Sequence, residues 1–190
     1  MKKIYTYITV IMFLFLSKPT FSKYQLDNSI STISYASIKK QYIVEPATIT
    51  TLTGSINEEG VFQVNISPLG IDSLNPIRDK RLNELFFQSN KYPNIEVSGK
   101  VNLSEIDFMP IKMTIPANIT LLGNTKKMQI PLLIIKSKDY LSVSSTNHII
   151  INSDDFSIPI DNLNKLAETV GGIPISNTVP VIVNLIFKAL

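Results

Sequence analysis

Apolar residues recur at every second position along most of this chain, and that spacing limits the fold more than any other feature. Ile33 and Tyr35 alternate with Thr32 and Ser34, and Phe62, Val64 and Ile66 with Gln63 and Asn65. Ile95 and Val97 alternate with Glu96 and Ser98. Met113, Ile115, Ala117, Ile119 and Leu121 share one face; Ile130, Leu132 and Ile134 follow, then Leu141 and Val143 between serines. Val179, Val181, Val183, Leu185 and Phe187 complete the series. Successive side chains of a strand point to opposite faces, so a period of two means one buried face and one wet face. Turn signals separate the runs at Asn57 to Gly60, Gly99-Lys100, Gly123-Asn124, Lys138-Asp139 and Gly171-Gly172. Seven or eight such strands, taken mostly in sequence order, predict an antiparallel barrel or sandwich.

Two segments leave this pattern. In "RDKRLNELFFQSN", Leu82, Leu85 and Phe86 fall at helical spacing. In "DNLNKLAETVGG", Leu163, Leu166 and Val170 do so, with Asp161 placed as a cap and Gly171 as a stop. Both are expected to be short helices covering barrel ends. At the N-terminus, Lys2 and Lys3 precede an apolar run from Ile4 to Leu16, and Thr20 and Ser22 place small residues before a cut. That pattern predicts a secretory signal peptide over residues 1–22 and a single domain over residues 23–190. The run is short for a bilayer span of roughly 20 residues.

Removing Lys2, Lys3 and Lys18 with that segment leaves fifteen Lys and Arg against fifteen Asp and Glu. A balanced chain without dense basic runs is a poor match to nucleic acid. The chain has no cysteine, hence no disulfide, and one histidine, so a zinc site of the usual nitrogen and sulfur type cannot be built from it alone. His148 sits in the strand-like run "TNHIIIN" and reads as a strand histidine. No GxSxG elbow and no glycine-rich phosphate loop is present. Asp154-Asp155 and Glu58-Glu59 read as solvated turns, because adjacent acids on extended chain point apart. No catalytic residue and no metal ligand is therefore assigned.

The densest stretch is "IDSLNPIRDKRLNELFFQSNKYPNIEV", Ile71 to Val97, which carries both arginines of the chain. It resembles the signature region of the YceI-like family through Arg78-Asp79, Leu82, Phe86-Phe87, Tyr92-Pro93, Ile95 and Val97. "IPANITLLGNTKKMQIPLLI" is similar to that family's strand–turn–strand run, with Thr120, Leu121, Gly123, Thr125 and Lys126 matching. "INSDDFSIPI" is similar to another of its elements, through Asp155, Phe156 and Ile158. The chain departs from the pattern at Ala117 (preceded by Pro116) and at Ser157, where the family has glycine, and at Ser153, where it has arginine. The likeness runs from Tyr24 to Leu190.

The resemblance implies an all-β fold with short helices: an eight-stranded, lipocalin-like antiparallel barrel with an apolar interior, located in the periplasm. It implies a long-chain isoprenoid, such as a polyisoprenoid or isoprenoid quinone, or another lipid, held inside for carriage or storage. No cofactor beyond that lipid is expected. A transient membrane contact and a dimer are compatible with this reading, which fixes no oligomeric state. Two rivals are a secreted structural or adhesive β-domain with a solid core, and a lipid-modifying enzyme. From the shared period-two face, Ile33, Tyr35, Phe62, Val64, Ile95, Val97, Ile119 and Leu121 are expected to line the ligand, with Phe86 and Phe87 joining them from the helical segment. One of the two phenylalanines should dip into the barrel and the other pack under the loop. Arg78 and Asp79 are expected to lock that segment as a plug at one barrel mouth, without chemistry; the rival reading is that Arg78 grips an anionic lipid headgroup. Arginine stays charged and favours planar, bidentate pairing.

Overall fold

The computed structural model describes residues 22–190. All of the expected signal peptide except Ser22 lies outside the described residues. The strands are β1 (Ser22–Leu26), β2 (Thr32–Lys39), β3 (Ile43–Ile49), β4 (Leu52–Asn57), β5 (Val61–Ile66), β6 (Ile71–Asp72), β7 (Ile95–Lys100), β8 (Ile111–Leu121), β9 (Asn124–Lys136), β10 (Tyr140–Ser145), β11 (Ile149–Asn152) and β12 (Thr178–Ala189). Helix α1 (Pro76–Arg81) continues into a wider π-turn, Leu82–Phe86, and α2 (Ile160–Glu168) lies between β11 and β12.

Twelve segments make eight staves. β1 and β2 pair with successive parts of β12, Tyr24 opposite Ala189 and Ile33 opposite Val183, so they form one interrupted strand. The same holds for β3 with β4, β5 with β6, and β10 with β11. Every neighbour is then antiparallel and sequential, and the pairing of β12 with β1 closes an eight-stranded barrel. Closure removes the exposed edges that an open sheet would present.

At the interruptions, side chains satisfy backbone groups that lose their ladder partners. The Leu52 amide donates to Asn28 Oδ1 at 2.6 Å, the Ile186 amide to Ser31 Oγ at 2.9 Å and the Val183 amide to Ser145 Oγ at 3.2 Å. A buried donor left without such a partner costs about 1–3 kcal/mol. The longest ladder is the β8–β9 hairpin, eleven paired positions from Ile111 opposite Ile134 to Leu121 opposite Asn124. Leu122 (φ 48°) and Gly123 (φ 80°) form its two-residue turn, the left-handed pair that matches strand twist.

Four expectations are corrected. Gly99 and Lys100 are not a turn but the end of β7. A Cβ on Gly99 would lie 2.6 Å from Phe62 Cζ and 2.7 Å from the Pro116 carbonyl, so glycine there permits close strand approach. Asp161 is not the cap of α2. Pro159 holds that position without a side-chain cap bond, and Asp161 sits in the first turn, where its charge suits the helix dipole. Asp154 and Asp155 lie on a 3-10 turn, Ser153–Phe156, rather than on extended chain; Asp155 pairs with Lys126, and Asp154 accepts from Asn177 Nδ2 at 2.9 Å. His148 is exposed in the connection before β11, not within the strand.

Candidate functional site

The barrel interior is hollow. A cavity of about 280 Å³ runs along its axis, where a single water needs only ~10–15 Å³. Each stave sends its inward residues into it: Ile33 and Tyr35 from β2, Phe62 and Val64 from β5, Ile95 and Val97 from β7, Ile119 and Leu121 from β8. The ladders explain the convergence. Val64 lies opposite Val97, and Val97 opposite Ile119, so one inward face continues across three staves. A slip of one residue anywhere would have turned these side chains to solvent.

The end of the barrel where β12 begins carries a roof. Leu82, Phe86 and Phe87 face the cavity from the α1 segment, Leu163 and Leu166 from α2. Phe86 and Phe87 both look inward, contrary to the expectation that they would divide. Their rings meet edge to face, centroids 4.9 Å apart at 89°, where the chain has left α-helical geometry for the wider π-turn. The Phe86 carbonyl accepts from Asn162 Nδ2 of α2 at 3.1 Å, and Asn162 Oδ1 accepts from Gln88 at 3.3 Å, joining the two halves of the roof.

Arg78 and Asp79 fasten the roof to the wall but do not pair with each other. Arg78 Nη2 lies 2.9 Å from Glu45 Oε1 of β3, and Glu45 Oε2 lies 2.6 Å from Lys39 Nζ of β2. Asp79 Oδ1 accepts from the Ser73 amide at 3.1 Å and from the Ser73 hydroxyl. Asn75 caps α1 by accepting from the Ile77 and Arg78 amides. Arg81 Nη1 donates to the Thr169 carbonyl at the C-terminus of α2 at 3.2 Å. Beside this network lies a second hollow of about 380 Å³, bordered by Lys39, Glu45, Arg78, Arg81 and Thr169. Ser37, Leu82, Leu166 and Ile175 border both hollows, so the second is a vestibule to the first.

Among the described residues, none that lines the cavity is a carboxylate, histidine, lysine or arginine. Tyr35 is the one titratable group among them. Its hydroxyl is buried and finds no hydrogen-bond partner among the described residues. Burial first, and then the nearby Asp79 carboxylate, push its pKa well above the usual phenol value, with Arg78 opposing, so it stays protonated.

Sequence reasoning missed several members of the site. Leu163 and Leu166 were visible as a helix face, but nothing in their spacing aimed that face at the cavity. Glu45 stands 33 residues from Arg78 and carries no local signal. Ser157, where the resembled family has glycine, has φ 51°, the left-handed conformation that glycine adopts freely.

Comparisons with known proteins agree with this geometry. The YceI-like domain family matches residues 24–187. A polyisoprenoid-binding domain from Saccharophagus degradans, implicated in plant cell wall breakdown, is similar with a TM-score of 0.84 and 22% identity, over 90% of this chain and 100% of that one. BcnA of Burkholderia cenocepacia is similar with a TM-score of 0.65 and 13% identity, over 85% and 98% respectively. Comparison with curated proteins gave no match.

Proposed function

The chain belongs to the YceI-like family, and from that membership and its hollow apolar barrel we propose that it is a periplasmic carrier or store for a long-chain isoprenoid or similar amphiphile. The observation that carries this reading is the cavity itself. A structural domain would be expected to fill its core, because interiors pack to the density of organic crystals. Here the interior stays open and its wall is almost wholly aliphatic and aromatic. Burying a tail against such a wall contributes about 25 cal/mol per Å² of apolar surface, so a long tail binds with few polar contacts. The binding rather than catalytic reading is supported by the absence of proton-transfer groups from the lining, apart from one phenol held protonated. The periplasmic reading rests on Lys2 and Lys3, the apolar run that follows, and the small residues Thr20 and Ser22.

Extraction of the purified, exported protein with organic solvent, followed by mass spectrometry, tests the proposal. A stoichiometric isoprenoid or related single-chain lipid is expected. Lipid-free protein that also fails to take up added polyprenol in solution would overturn it.

A further inference from the structure

The polar lining of the cavity is confined to one end. Among the described residues only Tyr35, Ser37, Ser153, Ser176 and Asn177 interrupt the apolar wall, and all five lie toward the roof. The register shows why: Asn152 pairs with Thr178 at the start of β12, and Lys39 bridges to Ile175, so these residues converge where β12 begins. The opposite end is lined by Ile56, Val101, Ile106, Leu141 and Phe187, all buried and apolar. The inward face of β2 crosses from one regime to the other. Ile33 and Tyr35 border the cavity alone, Ser37 borders both hollows, and Lys39 borders only the vestibule. Polarity therefore rises stepwise from the apolar interior to an ammonium group.

The vestibule carries a surplus of positive charge. Lys39, Arg78 and Arg81 border it against the single carboxylate Glu45, with Asp79 tied behind it to Ser73. Glu45 engages Lys39 and Arg78. Arg81 uses one N–H on the Thr169 carbonyl and directs no ion pair to any described residue. At the polar end of the cavity sits the Tyr35 hydroxyl, a donor with no hydrogen-bond partner among the described residues.

We infer that the vestibule is a headgroup subsite: it takes an amphiphile with an anionic oxygen head, the head meeting Arg81 and Lys39, the Tyr35 hydroxyl donating to the oxygen nearest the tail, and the tail running toward Ile106. This deepens the carrier reading and rests on it. A phosphate and a carboxylate share the required chemistry, since either accepts charge-assisted hydrogen bonds from a guanidinium. Arg78 remains the structural tie, because its guanidinium already joins Glu45 to the Ser73 carbonyl, whereas the Lys39 ammonium spends one of its three donors on Glu45.

Binding of four probes separates the outcomes: a polyprenol, its monophosphate, a long-chain fatty alcohol and the matching fatty acid. The anionic member of at least one pair is expected to bind about tenfold more tightly than its alcohol, in line with charge-assisted contacts. A preference in the prenyl pair alone names a phosphate head; a preference in both names any anionic oxygen head. Arg81→Gln should abolish the preference and Arg81→Lys restore much of it. Tyr35→Phe should weaken binding several-fold without lowering the stability of the ligand-free protein, which a merely structural hydroxyl would lower. Equal affinity for alcohol and anion, or a preference that survives Arg81→Gln, overturns the subsite and leaves the carrier intact. Failure of every probe to bind overturns the carrier reading as well.

Discussion

At the end of the barrel where β12 finishes, Leu141, Ile106, Phe187 and Ile56 are 1–5% exposed and pack against one another without a polar group among them. The loop that closes this end is clamped by Lys136, whose ammonium donates to the Ile106 carbonyl at 3.2 Å and stands 5.3 Å from the Phe108 ring centroid. Gly60 holds the adjoining turn at φ 79°, where a Cβ would sit 1.9 Å from the Val101 carbonyl. The other end is covered by two short helical segments held through a handful of side-chain bonds: Arg78 to Glu45, Asp79 to Ser73, Arg81 to Thr169 and Asn162 to Phe86. The contrast teaches that the far end is closed by apolar packing and tight backbone turns, whereas the roof joins its apolar packing to exchangeable polar ties. Loosening the roof breaks those polar ties and uncovers Phe87, Leu163 and Leu166, but leaves the barrel ladders whole. The proposed carrier would therefore load and release through the roof end rather than the far end.

The contrast can be broken most violently in the wall between the two ends. Ile119→Glu places a carboxylate among Val97, Val64 and Leu121, where nothing pairs with it. An uncompensated buried charge costs about 3–5 kcal/mol. Urea denaturation should show that loss, and lipid content should fall with it; a folded variant with unchanged lipid would dissolve the equation of this wall with the ligand site.

Truncation at the two ends sharpens the comparison. Leu141→Ala removes a side chain that is 1% exposed and should cost about 2–5 kcal/mol, as buried leucine truncations do. Leu166→Ala, in the roof, enlarges space that is already open and should fall at or below the bottom of that range. Equal losses in denaturation midpoints would mean that the roof is as integral to the core as the far end.

Arg78→Ala leaves Glu45 with Lys39 alone. Both side chains of the pair are partly exposed, at 25% and 19%, so the stability change should be small, about 1 kcal/mol. The account expects the larger effect on lipid release, read as an increased dissociation rate in stopped-flow transfer. An unchanged rate would show that this tie does not govern lipid release.

The smallest effect concerns pH. Asp27 accepts from Lys188 at 2.6 Å and from the Ser29 hydroxyl and amide at 2.7 and 3.0 Å, and these bonds hold its pKa at about 2 against a usual 3.8. A depressed carboxyl pKa stabilises the fold above the unfolded-state value and ceases to do so as pH falls through the folded-state value. Stability should accordingly decline between about pH 4 and pH 2, with a shallower decline in Asp27→Asn measured by thermal melts over that window.

The wall was legible in the sequence because its cause is periodic. Ile33, Phe62, Val97 and Ile119 each declare their face by alternation, and antiparallel neighbours then share that face. The composite stave of β3 and β4 was not legible: Glu45 and Pro46 interrupt the first half, and Gly54 leaves only Leu52 and Ile56 to mark the second. The roof was half legible. Its helical spacing and its arginines were visible, but Glu45 and Thr169, 33 and 88 residues from their arginines, become partners only through tertiary folding. The inward turn of both Phe86 and Phe87 depends on a π-turn that no local pattern announces.

On the proposed function, the hollow barrel holds a long isoprenoid tail with its head at the roof. A crystal structure of the protein grown with a long-chain polyprenol tests it most directly. The account predicts continuous density for one tail, entering beneath Phe86 and Phe87, passing Val64 and Ile119 and ending near Ile106. Density confined to the outer surface, or a barrel whose side chains have collapsed to fill the interior, would contradict it.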